Sequence, residues 1–214
     1  MAAKLNRDVI ARAGLRLLDG AGIDGITLRA LAAELGVQAP TLYWHVTSKL
    51  DIFQAMAVAI SQDAAAATAT MDPDASWRNR LKNWAYALRR SILNHRDGGR
   101  VFAGTFAADA ATFTVTESAL SAWLEAGLSV EEAAQRMILL RHFIVGFCIE
   151  EQALAALGEQ DGSARLAELR NMADSNRFPL TVQALPTISS SSPEDRFELG
   201  LQLMLGHAAP GGVV

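Results

Sequence analysis

Cysteine is almost missing from this sequence: Cys148 is the only one in 214 residues. No disulfide can form within the chain, and no metal-spaced cysteine–histidine set exists. Flanked by Phe147 and Ile149, Cys148 reads as a small buried hydrophobe rather than a redox-sensing thiol, which needs an exposed, low-pKa setting. Long apolar runs are lacking too. The longest, Met137 to Ile149, spans 13 residues and is interrupted by Arg141, short of the roughly 18 to 20 that cross a bilayer. Met1 to Ile10 is polar and charged, without the apolar stretch of a secretory signal. The expectation is a cytoplasmic protein with no membrane partner. Alternation of Val, Ile and Thr between hairpin turns is absent, which argues against strands. There is no phosphate loop, no Gly-x-Ser-x-Gly elbow and no His-Glu-x-x-His, and the acidic residues are scattered. No catalytic residue, metal ligand or cofactor is therefore expected.

Positive charge is also scarce, with a formal net charge of −4. Its distribution is uneven. Residues 1–50 carry Lys4, Arg7, Arg12, Arg16, Arg29 and Lys49 against four acidic residues, a net +2, and the remainder carries −6. A basic head on an acidic body is the pattern of a nucleic-acid-binding module joined to something else.

What is present is helical periodicity. Asn6 can cap a first helix with Val9, Ala13 and Leu17 on one face, punctuated by Gly20 and Gly22. Thr27 caps a short helix ending at Gly36, and Pro40 opens another, from about Ala39 to His45, where its missing N–H costs nothing. Ser48 starts a longer helix carrying Ile52, Phe53, Met56, Ala57 and Ile60, which frays into a loop over Ala64–Ala75. Ser76 caps a helix with Trp77, Leu81, Trp84, Leu88 and Ile92 in one stripe, ended by Asp97-Gly98-Gly99. A short helix near Arg100–Thr105 and one from about Asp109 to Ala126 follow. Ser129 with Glu132 forms a capping box for a long helix to about Leu157. Its segment Met137 to Ile149 is apolar nearly all round, the mark of a helix buried on several sides. A short helix near Ser163–Met172, a flexible loop over Thr187–Ser192, a last helix from Ser192-Pro193-Glu194-Asp195 to about His207 and a disordered tail complete the reading. The fold class is all-α: a three-helix head over residues 1–48 and a larger helical body over 49–214, about nine to ten helices in total.

The densest signal is Thr27 to Lys49, TLRALAAELGVQAPTLYWHVTSK. Two short helices meeting at Gly36-Val37 make a helix-turn-helix, whose second helix enters a DNA major groove. Gln38, Thr41 and Tyr43 can hydrogen-bond to bases or phosphates, and Ala39 or Pro40 can touch a thymine methyl. Thr27, Arg29, Tyr43, His45 and Lys49 suit phosphate. Tyr43-Trp44-His45 places three large amphipathic side chains on a helix of barely two turns, which a purely structural pair of helices rarely does.

These residues resemble the TetR family of bacterial regulators. Gly36-Val37, Pro40-Thr41-Leu42-Tyr43-Trp44-His45-Val46 and Lys49 carry the resemblance, which covers Val9 to Phe53 closely. It continues through Trp77, Leu93-Asn94-His95-Arg96-Asp97-Gly98, Gly104-Thr105, His142-Phe143, Gly146 and Glu150-Glu151-Gln152, and fades beyond about residue 155. It implies a homodimer reading the two halves of a palindromic double-stranded operator, half-site centres about 34–36 Å apart. The helices from Ser129 and Ser192 would pair with their mates in a four-helix bundle. It further implies release from DNA when a ligand makes the helix from Ser48 swing and alters the spacing of the recognition helices.

The family's type member takes its drug as a magnesium chelate served by a histidine and a glutamate. Those positions align here with Phe102 and Glu150. An arginine after the Gly-Thr pair is replaced by Phe106, and an asparagine that grips the drug aligns with Trp84. Phenylalanine has no lone pair for a cation, so the expectation is a metal-independent, tetracycline-insensitive relative. Trp84, Leu88, Phe102, Phe106, Phe113, Met137, Phe143 and Phe147 suggest an apolar aromatic pocket for a small hydrophobic or aromatic effector, with Thr105, His142 and Glu150 as polar anchors. The alternative reading is a helical carrier of an apolar small molecule that binds no DNA.

Overall fold

The computed structural model describes residues 5–69, 72, 74–105, 109–190 and 192–206, except for the side chains of 111, 159–163 and 190. It is all-α, with no strand among the described residues. By compactness the chain divides into two units, Met1–Ile149 and Glu150–His207.

The first unit begins with α1 (Arg7–Ala21), started by Asn6, whose side chain accepts the Val9 N–H at 2.8 Å. Ile10, Ala13, Leu15 and Leu18 are buried along one face. Gly22, at φ 71°, ends the helix with its N–H on the Leu18 carbonyl, a left-handed position suited to glycine. A single 3-10 turn, Ile23–Gly25, leads to α2 (Leu28–Glu34), capped by Thr27 through the Ala30 N–H. The α3 helix is shorter than its pattern suggests: Ala39–Leu42, followed by turn residues. Four residues make barely one hydrogen-bonded turn, so its shape rests on packing rather than propensity. Leu42 and Val46, both fully buried, supply that anchorage.

The long α4 (Lys49–Ala69) is the spine of this unit and packs on α1, α5 (Trp77–Leu93), α6 (Gly98–Phe102) and α7 (Ala110–Glu125). Its start is a reciprocal cap. Asp51 accepts from the Thr47 N–H, the Thr47 hydroxyl and the Ser48 N–H, and Ser48 accepts from the Asp51 N–H. The expected loop after α4 lies partly outside the described residues. The Asp97-Gly98-Gly99 stretch opens α6 rather than ending α5, which stops at Leu93. Two facts explain the shift. Asp97 takes the left-handed conformation (φ 55°) before α6. A β-carbon on Gly99 would come within 2.9 Å of Ile149 and 3.0 Å of its backbone nitrogen, so only glycine lets α6 approach so closely. Ser76 and Asp109 cap α5 and α7 as their positions predict.

The capping box at Ser129 and Glu132 is formed, with Ser129 N–H to Glu132 at 2.9 Å and Glu132 N–H to Ser129 at 3.2 Å. It starts α8 (Val130–Met172), whose regularity is interrupted at Gly158 (φ 74°). Within one chain the Met137–Ile149 segment is not buried all round. Leu140, Ile144 and Cys148 are fully buried, whereas Ile138 and Leu139 stand about half exposed.

In the second unit, the loop expected over Thr187–Ser192 is largely helix: α9 runs Pro179–Ser190 despite Pro186 inside it. Ser189 holds that end, donating to the Leu185 carbonyl at 2.7 Å and accepting from Arg170 at 2.9 Å. Arg170, nineteen residues earlier, thereby ties the end of this proline-containing helix to α8. The last helix, α10 (Pro193–Gly206), starts at Ser192 as expected and buries Phe197, Leu201 and Leu205. The predicted disordered tail lies outside the described residues.

Candidate nucleic-acid interface and ligand cavity

Leu42 and Val46 pin α3 to the interior, and their neighbours point outward. Trp44 is 88% exposed and Tyr43 53%. Gln38, Pro40 and Thr41 are exposed, and Ala39 and His45 are partly so. A tryptophan this exposed in the turn after α3, beside an exposed tyrosine, presents a large apolar surface to water for no internal benefit, a cost that points to an external partner. Arg29 is exposed on α2. Thr27 is exposed but its hydroxyl oxygen serves the cap, and Lys49 is exposed with its Nζ donating to the Ile23 carbonyl at 2.9 Å and lying 5.5 Å from the Phe53 ring centre.

The body of the first unit holds an open cavity of about 100 Å³ between α4, α5, α6, α7 and α8, lined by Ser61 and Ala64, Trp84 and Leu88, Phe102, Thr112 and Val115, and Met137 and Arg141 among others. A second cavity of about 220 Å³ lies beside it, lined by Thr68, Arg80, Leu81 and Ser118 among others. Trp84 and Val115 belong to both linings, so the indole is the partition between them.

The description "Bacterial regulatory proteins, tetR family" matches residues 10–56, and "Tetracyclin repressor-like, C-terminal domain" matches residues 70–206. The Escherichia coli tetracycline repressor protein class C is 34% identical over 204 residues, covering 95% of this chain and 90% of that protein. The chain belongs to the TetR family of transcriptional regulators. Among solved structures, Streptomyces coelicolor ActR in complex with actinorhodin superposes with a TM-score of 0.85 at 25% identity, covering 99% of this chain and 100% of that one. A single-substitution variant of TetR from Acinetobacter baumannii AYE, in complex with minocycline, gives 0.72 at 28% identity, covering 95% and 96%. TetR-family proteins are regulators and not enzymes, and no helix among the described residues is long and apolar enough to cross a membrane.

Of the effector-site residues expected from the sequence of this TetR-family chain, Trp84, Leu88, Phe102 and Met137 meet in the smaller cavity. Thr105 is buried, its hydroxyl donating to the Phe102 carbonyl at 2.6 Å. Phe143 and Phe147 pair with ring centres 5.7 Å apart, outside the cavity lining. Phe113 is 64% exposed, and His142 and Glu150 are exposed. Phe106 lies outside the described residues. Ser61, Ala64, Thr112, Val115, Thr116, Ile138 and Arg141 escaped the sequence reading, and two of them matter most. Arg141 registered only as an interruption of an apolar run, although a lone cation in such a run, four residues after Met137, is itself a signal. Thr112 looked like an ordinary helix-start residue.

The junction between the head and the cavity is polar and specific. Asp97 accepts the Ile23 N–H at 3.0 Å, and Asp19 near the end of α1 accepts the Arg96 N–H at 3.0 Å and contacts His95 Nδ1. Ile23 is therefore gripped on both sides, its N–H by the residue that opens α6 and its carbonyl by Lys49 at the start of α4. Further along, Arg12 of α1 pairs with Asp63 of α4 at 2.6 Å, a contact that raises the guanidinium pKa.

Proposed function

We propose that this chain is a dimeric repressor that binds a palindromic operator and is released from it by a hydrophobic or aromatic small molecule. The observation that carries the reading is α4. Its first residues lock to the helix-turn-helix head through Lys49 and Asp51, and Ser61 and Ala64 further along the same helix line the cavity. A change in cavity occupancy acts on an element that also positions the head, with no linker between. Residues 1–48 then form the DNA-binding head, and 49–214 the ligand-binding and dimerisation body.

The contacts assigned to DNA are Gln38, Ala39, Pro40, Thr41, Tyr43, Trp44 and His45, with Thr27, Arg29 and Lys49 toward phosphate. Exposed Leu139 on α8, and separately Leu199 and Leu203 on α10, are apolar side chains that a second copy would cover. An apolar cavity lining without a carboxylate or imidazole favours a ligand bound without a metal, and tetracycline insensitivity follows. Neighbouring structures of the family hold minocycline and actinorhodin, which supports a polycyclic effector class.

Operator binding by fluorescence anisotropy, on fragments flanking the protein's own gene, tests the reading. Thr41→Ala and Tyr43→Ala should each weaken binding severalfold or more while shifting stability by no more than about 0.5 kcal/mol, because both side chains are exposed. A monomeric protein indifferent to all such fragments would refute it.

A further inference from the structure

The cavity is apolar, yet it contains a cation that meets no counterion among the described residues. Arg141 projects from α8 into the lining. Its Nη2 donates to the Thr105 carbonyl at 3.0 Å and to the Phe102 carbonyl at 3.5 Å, and its guanidinium lies 5.0 Å from the Phe102 ring centre. Among the described residues no carboxylate pairs with it, and the acceptors it meets there are these two carbonyls. Burial lowers its pKa, with no compensating charge. A partly desolvated guanidinium without an anion is an unfavourable arrangement for a protein to keep. Across the same cavity Thr112 is equally unsettled: its Oγ1 is buried and has no hydrogen-bond partner among the described residues.

We propose that Arg141 is the charge-selecting residue of the cavity, and that the effector is an aromatic molecule bearing an anionic oxygen, a carboxylate or an ionised phenol, that Arg141 binds and the Thr112 hydroxyl supplements. The proposal rests on the effector-binding reading above and narrows its ligand to one charge class. The anion gives the guanidinium the counter-charge it lacks and the orphaned hydroxyl an acceptor, while Trp84, Leu88 and Phe102 cover the ring system. It also competes for the donor now spent on the Phe102 carbonyl at the end of α6 and on the Thr105 carbonyl just beyond it, so binding loosens that end of the helix.

Paired probes of one shape decide the matter: 2-naphthoate, 2-naphthamide and 2-naphthylmethylammonium, titrated calorimetrically into the full-length protein. The carboxylate should bind about tenfold tighter than the amide or more, since a charge-assisted hydrogen bond is lost in the neutral probe, and the ammonium should not bind. Arg141→Gln should erase the preference, and Arg141→Lys should keep part of it by retaining the charge. Thr112→Val should weaken the carboxylate severalfold. A guanidinium that only caps α6 predicts a lower melting temperature in Arg141→Gln but no charge preference in the wild type. Equal or tighter binding of the amide, a preference surviving in Arg141→Gln, or no carboxylate binding to the folded wild type overturns the proposal. If Arg141→Gln does not fold, the wild-type preference and its response to Thr112→Val and Arg141→Lys decide alone. Operator binding by the ligand-free protein is measured on the same sample, so failure of the charge assignment is distinguishable from failure of the regulator reading.

Discussion

Replacing Ala64 with leucine separates the cavity's role from the head's. Ala64 is 1% exposed, sits on α4 and lines the smaller cavity. Leucine adds three carbon atoms that project into this cavity of about 100 Å³ and occupy part of the space a ligand would need. Burying three carbons at about 0.8 kcal/mol each contributes about 2.4 kcal/mol, and fixing the leucine rotamer costs about 0.5 to 1 kcal/mol. The net is a gain of about 1.5 kcal/mol, or about 3 to 6 °C in melting temperature for a chain of this size. Leucine is also a good helix former, so α4 is not weakened. Thermal unfolding by circular dichroism reads the stability, and anisotropy on the operator reads affinity with and without 2-naphthoate. The expected variant is more stable, binds DNA like the wild type and no longer responds to the ligand. Loss of more than about 1 kcal/mol would show that the cavity is too rigid or too narrow for the side chain, as overpacking is. An undiminished response in a stabilised variant would place the effector elsewhere.

Other perturbations test the frame around the cavity. Hydrogen bonds from Thr47 and Ser48 hold the Asp51 carboxyl below its usual pKa, the Thr47 hydroxyl foremost. Because the folded value is the depressed one, this contribution is complete above the unfolded carboxylate pKa of about 4 and is lost as pH falls through the folded value. Asp51→Asn should therefore flatten the fall in urea midpoint between about pH 6 and pH 3, and Asp51→Ala should cost about 0.5 to 1 kcal/mol at neutral pH. Trp84→Ala removes the partition between the two cavities and should cost about 3 kcal/mol while admitting ligands that the wild type excludes, checked by a calorimetric series of increasing ring number. Asp97 combines φ 55° with the bond to the Ile23 N–H. Asp97→Gly loses the bond but relaxes the backbone, whereas Asp97→Ala loses both, so denaturant unfolding should rank wild type above glycine and glycine above alanine, the last two about 1 kcal/mol apart.

Most of the helix starts were legible because capping is local chemistry. Asn6, Thr27, Ser76, Asp109, Ser129 with Glu132, and Ser192 all cap as their positions predict, each bonding a backbone N–H three residues on. What escaped was decided at a distance. The end of the helix over Pro179–Ser190 is tied through Ser189 to Arg170, nineteen residues earlier. The start of α6 depends on a glycine lying against Ile149, fifty residues away in sequence. The cavity was legible in its apolar members, because Trp84 and Leu88 are one helical turn apart on α5. Its polar members were not. On α8, Arg141 and not the adjacent His142 lines the cavity, since successive residues on a helix point about 100° apart.

The short helix α6 is where these observations converge. Five residues cannot hold a helix by themselves, because nucleation consumes more order than one or two hydrogen bonds return. Its neighbours hold it instead. At its start Asp97 ties it to Ile23 of the head, and just beyond its end Arg141 ties it to α8 and to the cavity. Buried Val101 and Phe102 pack it in place, and the two polar grips fix its ends, so a ligand that takes one grip shifts the balance between its positions. On the proposed reading that ligand is an anion competing for Arg141, and the shift reaches the recognition helix through Ile23 and Lys49 with no long pathway between. Linkage then sets a requirement independent of structural detail: whatever factor the ligand takes from operator affinity, the operator must take from ligand affinity. Loosening the other grip with Asp97→Ala should lower that shared factor toward one, measured from either side, without removing Arg141's preference for an anion.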